Sequence, residues 1–209
     1  VIPILVGVTP LAASLIEPAA TVARALARTV ELENKTVVVL GAGTLGLLTI
    51  GMVGATRPER LVATDLSANK RRRAIEWSAD AAVDGASDDI AQSVLASTHE
   101  RPDVVFDCVG NSGTLSLALE IVAKAGVIVL IGAEHGTAEL PLEIVQDGEV
   151  TVTGVAMYTA VDFANAAKYV AGRTDLVSSL VSAEFPVNRA EDAFRAAASG
   201  VEVKVQLVL

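Results

Sequence analysis

The sequence predicts an α/β chain built on a doubly wound parallel sheet, and three observations carry that expectation. From Lys35 onward, short aliphatic runs of strand length alternate with segments of helical length, the order expected when parallel strands are joined by right-handed crossover helices. Of the 209 residues, 52% are hydrophobic but only 3% aromatic, the aliphatic balance of strands covered on both faces. The stretch Thr36–Ile50, TVVVLGAGTLGLLTI, sets three glycines in a GxGxxG frame between a strand-like run and a helix-like one.

The elements follow in order. Thr36–Leu40 is β-branched and apolar, a buried first strand. Gly43–Ala55 has helical length, and Arg57-Pro58 ends it, because proline cannot continue a helix. Leu61–Thr64 is the second strand; Ser67–Ser78 is an amphipathic helix with Ser67 as N-cap. Ala81–Val83 and a helix over Asp88–Ser97 come next, then strand four at Asp103–Cys108 and a helix over Ser112–Val122. Val127–Ile131 is strand five, Val150–Val155 alternates as an edge strand, and Asp162–Ala171 is helical. Residues 1–34 read as an extended start and then a helix preceded by Glu17-Pro18. Phe185–Ala198 reads as a turn plus helix, and Val201–Leu209 as a terminal strand. Residues 35–180 are thus expected to form the nucleotide-binding domain, with 1–34 and 181–209 as pieces of a flanking lobe.

Composition excludes several function classes. A net charge of -9 argues against a nucleic-acid or anionic-membrane partner, since both reward clustered positive charge. Lys70–Arg73 is the only basic run. No apolar run reaches the ~18 residues of a membrane span, and the apolar start at Val1 lacks the basic region of a signal peptide. One cysteine, Cys108, rules out an internal disulfide framework or a multi-cysteine zinc site. A cytoplasmic location is expected.

The glycines gain meaning from their context. Gly41 permits a tight turn, Gly43 lets backbone approach a pyrophosphate, and Gly46 allows close helix–strand packing. The first-turn amides of Thr44, Leu45 and Gly46 point toward the anion. Asp65 ends the second strand close to the expected offset of about 20 residues. A carboxylate there accepts hydrogen bonds from the adenosine ribose and repels a 2′-phosphate, which favours NAD over NADP. Lys70 reaches toward the same ribose, while the arginines of the basic run leave an opening for NADP.

Taken together, EPAATVARAL, VVVLGAGTLGLL, LVATD, DVVFDCVG, GVIVLIG, TVTGV and AEDAFRAAASG…VKVQLVL resemble the zinc-dependent medium-chain dehydrogenase/reductase family, of the polyol, threonine and alcohol dehydrogenase type. The resemblance runs over essentially the whole chain. Gly-Ala-Gly in the turn and Glu-Pro upstream point to the zinc branch rather than the quinone-reductase branch. It implies a Rossmann-type sheet and NAD(H) as cofactor, with Asp65 and Lys70 as adenosine-ribose contacts. Val109 and Gly110 after strand four, and Ile131 and Gly132 after strand five, match contacts along the cofactor. Val155 and Met157 match the stretch whose backbone meets the nicotinamide carboxamide.

Glu17 stands where the zinc branch carries a Cys, Asp or Glu that ligates or adjoins the catalytic zinc. Such a zinc needs about three protein ligands, and the family's others come from an N-terminal GroES-like lobe whose Cys and Gly-His-Glu motif do not occur here. His99 and His135 read as surface residues and Cys108 as a small core residue. The chain is therefore expected to be the cofactor-binding portion of a zinc-type alcohol or polyol dehydrogenase, inactive alone. Within an intact enzyme it would serve hydride transfer between a secondary alcohol or ketone and nicotinamide. The alternative is a free-standing dinucleotide-binding or redox-sensing module. A further option, a methyltransferase-like domain, is opposed by Lys70 and the Glu-Pro signature. The open edge at Val150–Val155 implies a homo-oligomer.

Overall fold

The computed structural model describes residues 7–133 and 136–208. Six parallel strands form one sheet: β1 (Thr36–Leu40), β2 (Arg60–Asp65), β3 (Ala81–Asp84), β4 (Val104–Asp107), β5 (Val127–Leu130) and β6 (Thr151–Gly154). Their order is β3-β2-β1-β4-β5-β6, the doubly wound arrangement in which the chain reverses direction across the sheet between β1 and β4. Every residue of β1 is buried, as a central parallel strand requires. Val37 and Val39 enter one core layer, and Val38 and Leu40 the other, following the two-residue period of a strand.

Helices α1 (Pro10–Ala13), α2 (Ile16–Leu26), α3 (Thr44–Gly54), α4 (Ala68–Glu76) and α8 (Ala160–Gly172) contribute to the first layer. Helices α5 (Ile90–Thr98) and α6 (Ser112–Ile121) cover the second, with Ile144 of α7 (Leu142–Asp147) at its margin. The buried face of α2 is almost all small, with Ala19, Ala20, Ala23 and Ala25 beside Val22, so it packs closely on α3 and α8. On α3, a Cβ at Gly51 would crowd the ring of Trp77 at 2.9 Å and the Tyr169 hydroxyl, which explains glycine inside a buried helix.

Downstream, α9 (Thr174–Ser178) leads into a second, two-stranded parallel sheet. It pairs β7 (Val181–Pro186) with β8 (Lys204–Val208) and is bridged by α10 (Ala190–Ala198).

The structure corrects several local expectations. Glu17-Pro18 lies inside the first turn of α2, not before it; proline is tolerated there because first-turn amides have no intrahelical acceptor. Ser67 is the N-cap of α4, yet its side chain makes no capping bond; the Asp65 carboxylate instead accepts from the Ser67 amide at 2.8 Å. Strand four ends at Asp107, leaving Cys108 in the loop beyond it. The strand β7 and the short helices α1, α7 and α9 are additions to the elements that the sequence predicts. The extended start over residues 1–6 and the reading of His135 lie outside the described residues, and His99 is exposed at the end of α5. Among the described residues no helix is long and apolar enough to cross a membrane.

Candidate functional site

The carboxyl ends of β1, β2 and β4 open onto a cleft of about 590 Å³, at the point where a doubly wound sheet binds ligands. Gly41, Asp65, Lys70 and Val109 line it together with Asn111, Thr114 and Gly200.

The glycine turn shows a separate reason for each glycine. Gly41 has a φ of +88°, a conformation that favours glycine, and its Cα faces the Val109 side chain. A Cβ on Gly46 would sit 2.8 Å from the Gly41 carbonyl carbon and overlap its oxygen, so the first turn of α3 can lie against the strand end only if residue 46 is glycine. Gly43 differs: its φ is an ordinary −74°, and among the described residues a Cβ there would meet no atom within 4 Å. Nothing among the described residues demands glycine at that position, whereas a bound anion approaching the backbone would. The first amide bond of α3 runs from Leu47 to the Gly43 carbonyl at 2.8 Å, so the amides of Thr44, Leu45 and Gly46 precede the ladder. The Thr44 hydroxyl is taken: it donates to the Val203 carbonyl at 2.6 Å.

Asp65 joins the turn to the rim of the cleft. One carboxylate oxygen accepts from the Ala42 amide at 2.8 Å, in the middle of the glycine turn, and the other from the Ser67 amide at 2.8 Å. Each oxygen keeps further acceptor capacity for a hydroxyl in the cleft. Lys70 donates from Nζ to the Gly200 carbonyl at 3.1 Å, which brings the segment before β8 over the same rim.

The basic run is spent on the protein itself. Arg71 binds the Asp65 and Leu66 carbonyls at 2.8 and 2.9 Å and Asp84 at 3.0 Å. Arg72 pairs outward with Asn69 and Glu76, and Arg73 reaches the Ser179 carbonyl.

Beyond β4 the chain folds around a buried carboxylate that sequence reading missed. Asp107 is fully buried and accepts from the Val109 amide at 3.0 Å, the Gly110 amide at 2.9 Å and the Thr114 hydroxyl at 2.8 Å. Asn111 caps α6 with a reciprocal bond pair to Thr114. The signal was available as D-x-x-G-N-x-x-T, an acceptor followed by a capping pair. Gly110, with φ +82°, lies so close to Gly132 that a Cβ on either would strike the other loop's backbone. The two glycines therefore serve loop–loop contact, and both border an adjoining cavity of about 290 Å³.

Ile131 is buried, its amide bonded to the Asp107 carbonyl at 2.8 Å. Val155 is half-buried beyond β6, and Met157 is exposed with a φ of 62°; neither lines the cleft. The Cys108 sulfur lies 3.6 Å from the Thr49 hydroxyl. Burial pushes its thiol up to about 12; the Thr49 contact opposes the rise and the Asp107 charge adds to it. Glu17 is exposed, and among the described residues no three His, Cys, Asp or Glu side chains converge on a position that could hold a metal. The described residues thus do not by themselves fit a zinc ion.

A parallel sheet with a glycine turn, free helix amides and a strand-end carboxylate at its switch point defines an α/β nucleotide-binding domain of the dinucleotide type. The family follows from comparison: residues 43–172, more than half of the chain, match the zinc-binding dehydrogenase family model, and the chain belongs to that family. Sorbitol dehydrogenase of Rattus norvegicus is 31% identical over 198 residues, covering 93% of this chain and 55% of the relative. L-Idonate 5-dehydrogenase (NAD(P)(+)) of Escherichia coli strain K12 is 28% identical, covering 92% and 55%. The crystal structure of L-idonate 5-dehydrogenase from the same species superposes with a TM-score of 0.89 at 27% identity, covering all of this chain and 60% of that one. The chain thus spans just over half the length of the curated relatives it matches.

Proposed function

We propose that this chain is the NAD(H)-binding portion of a zinc-type alcohol or polyol dehydrogenase. The observation that carries the reading is the direct bond between the Asp65 carboxylate and the Ala42 amide, which joins a ribose-recognising acid to a pyrophosphate-type turn. Gly43, glycine without a protein reason, supports the same reading.

In this proposal the amides of Thr44, Leu45 and Gly46 hold the pyrophosphate, aided by the positive end of α3. Asp65 accepts from the adenosine ribose hydroxyls and Lys70 steadies the same edge. Val109 and Ile131 supply apolar contacts, and Gly110 and Gly132 fix the loops that carry them. Val155 and Met157 provide the backbone that meets the carboxamide. A nicotinamide cofactor held there would supply the hydride donor or acceptor, and the residues of this chain would position it at the strand ends. Glu17 is the residue of this chain that the family resemblance associates with zinc. The name of the Escherichia coli relative includes both NAD and NADP, but a carboxylate facing the ribose disfavours a 2′-phosphate, so NAD is assigned here.

Fluorescence titration with NADH and NADPH tests the reading. NADH binding at least about tenfold tighter than NADPH is expected from one uncompensated charge repulsion. Binding of neither would end the dinucleotide assignment, and a preference for NADPH would end the role given to Asp65.

The outer edge of β6 has no partner strand among the described residues, and a second copy pairing there would make a homo-oligomer. The Thr151 and Val155 amides already bind the Gly126 and Leu130 carbonyls on the β5 side, so the Val152 amide faces outward. Val152→Pro is expected to lower the mass measured by light scattering; an unchanged mass rules out pairing through this edge.

A further inference from the structure

Arg71 follows Lys70 in the first turns of α4, beside the strand end that bears Asp65, where a free guanidinium would attract a phosphorylated ribose. It is not free. Three hydrogen bonds tie it to the Asp65 carbonyl, the Leu66 carbonyl and Asp84, and its side chain is only 19% exposed. Asp84 is itself held: its other oxygen accepts from the Ala86 amide at 3.0 Å, and it lies in register with Asp65 on the neighbouring strand. The Asp65 carbonyl also receives the Gly85 amide at 3.1 Å. The β2–α4 turn is thereby clamped from beneath, while the Asp65 carboxylate faces the glycine turn.

We propose that Arg71 and Asp84 together set the choice of cofactor: the arginine fixes the turn that aims Asp65, and Asp84 keeps the guanidinium charge away from the ribose. Both are positioning residues, acting through Asp65 and through a charge held back. The proposal rests on the dinucleotide reading above and adds to it the source of its selectivity. It also accounts for a basic run beside a nucleotide cleft that does not serve phosphate.

The test is a double-mutant cycle in the full-length protein, reading the ratio of NADH to NADPH dissociation constants. Asp84→Asn neutralises the partner while its side-chain oxygen can still accept from Ala86. The released arginine is expected to shift the ratio toward NADPH by about two- to fivefold, the effect of one partly exposed charge pair. Arg71→Met alone loosens the turn that aims Asp65 and sets its own ratio, and in that background Asp84→Asn should shift the ratio no further. Asp84→Ser, whose hydroxyl can accept the same amide, is the second variant should the first fold poorly, and melting curves verify folding.

An unmoved ratio in the single variant overturns the proposal. So does an equal further shift when Asp84→Asn is added to Arg71→Met, because removal of the Asp84 charge alone would then explain it. If the unaltered protein binds neither dinucleotide, the dinucleotide reading itself falls; if it binds NADH and only the cycle fails, that reading stands.

Discussion

Gly43 and Gly46 are three residues apart in one turn, yet the structure predicts opposite consequences for replacing them with alanine. At Gly46 the new methyl group would overlap the Gly41 carbonyl, lying 2.8 Å from its carbon. That obstacle is backbone, held in a positive-φ conformation, so the start of α3 must move. Overpacking of this kind costs about 1–3 kcal/mol, and the better helix propensity of alanine returns about 1 kcal/mol. With the cost at the upper end, Gly46→Ala should destabilise by about 2 kcal/mol, and dinucleotide binding should fall with it. At Gly43 the methyl group meets no atom of the described residues. The stiffer unfolded chain gains about 0.4–1 kcal/mol and the poorer N-cap loses a similar amount, leaving stability within about 0.5 kcal/mol. A pyrophosphate against that backbone would lose at least one charge-assisted bond of about 1.5–3 kcal/mol, so NADH should bind roughly ten- to a hundredfold more weakly. Urea denaturation and NADH titration of both variants separate the two effects. Unchanged NADH affinity in Gly43→Ala refutes the pyrophosphate assignment, and wild-type stability in Gly46→Ala refutes the packing account.

Further expectations concern buried carboxylates and the thiol. Asp107→Ala leaves two amides and a hydroxyl without their acceptor, and should cost about 3 kcal/mol in denaturant titration. Burial raises the pKa of Asp162, but bonds from the Thr159 hydroxyl and amide and the Arg24 charge outweigh it and hold the carboxyl below its ordinary value. The folded state therefore binds fewer protons than the unfolded state between the two pKa values. Its contribution is complete above the ordinary carboxylate range and is lost as pH falls through the folded value; Asp162→Asn should flatten that part of the acid stability curve. With its thiol pushed up to about 12, Cys108 should resist a disulfide reagent at neutral pH and react once urea unfolds the chain. Rapid labelling of the folded protein would contradict its packing against Thr49.

The parts of the fold legible in the sequence are those with a local physical signature. β1 reads plainly because a fully buried parallel strand is continuously apolar, and the glycine turn and Asp65 follow at family spacing. β7 was overlooked because VSAEFP is half-exposed and ends in proline, and its pairing with β8 bridges a helix that sequence periodicity cannot connect. Asp107 looked like a strand residue; its role depends on the chain turning back so that three donors converge. Arg71 and Asp84 lie on separate elements, and a basic run reads as a solvated face until the partners are seen. The close approach of Gly110 and Gly132 was equally hidden: their loops touch each other, a fact no single segment contains.

The order of the strands has a consequence for how the molecule is assembled. β1, β2 and β3 pair through short connections, as do β4, β5 and β6, whereas the seam between β1 and β4 joins residues 67 apart, as in the bond between Thr36 and Asp103. Closing that seam carries the larger loop entropy, by about 1 kcal/mol over the neighbouring pairings. The cleft lies across this junction, lined from one side by Gly41 and Asp65 and from the other by Val109 and Thr114. A ligand spanning it would act as a clasp on the folding reaction, slowing separation of the halves and shielding the loops between them from proteolysis.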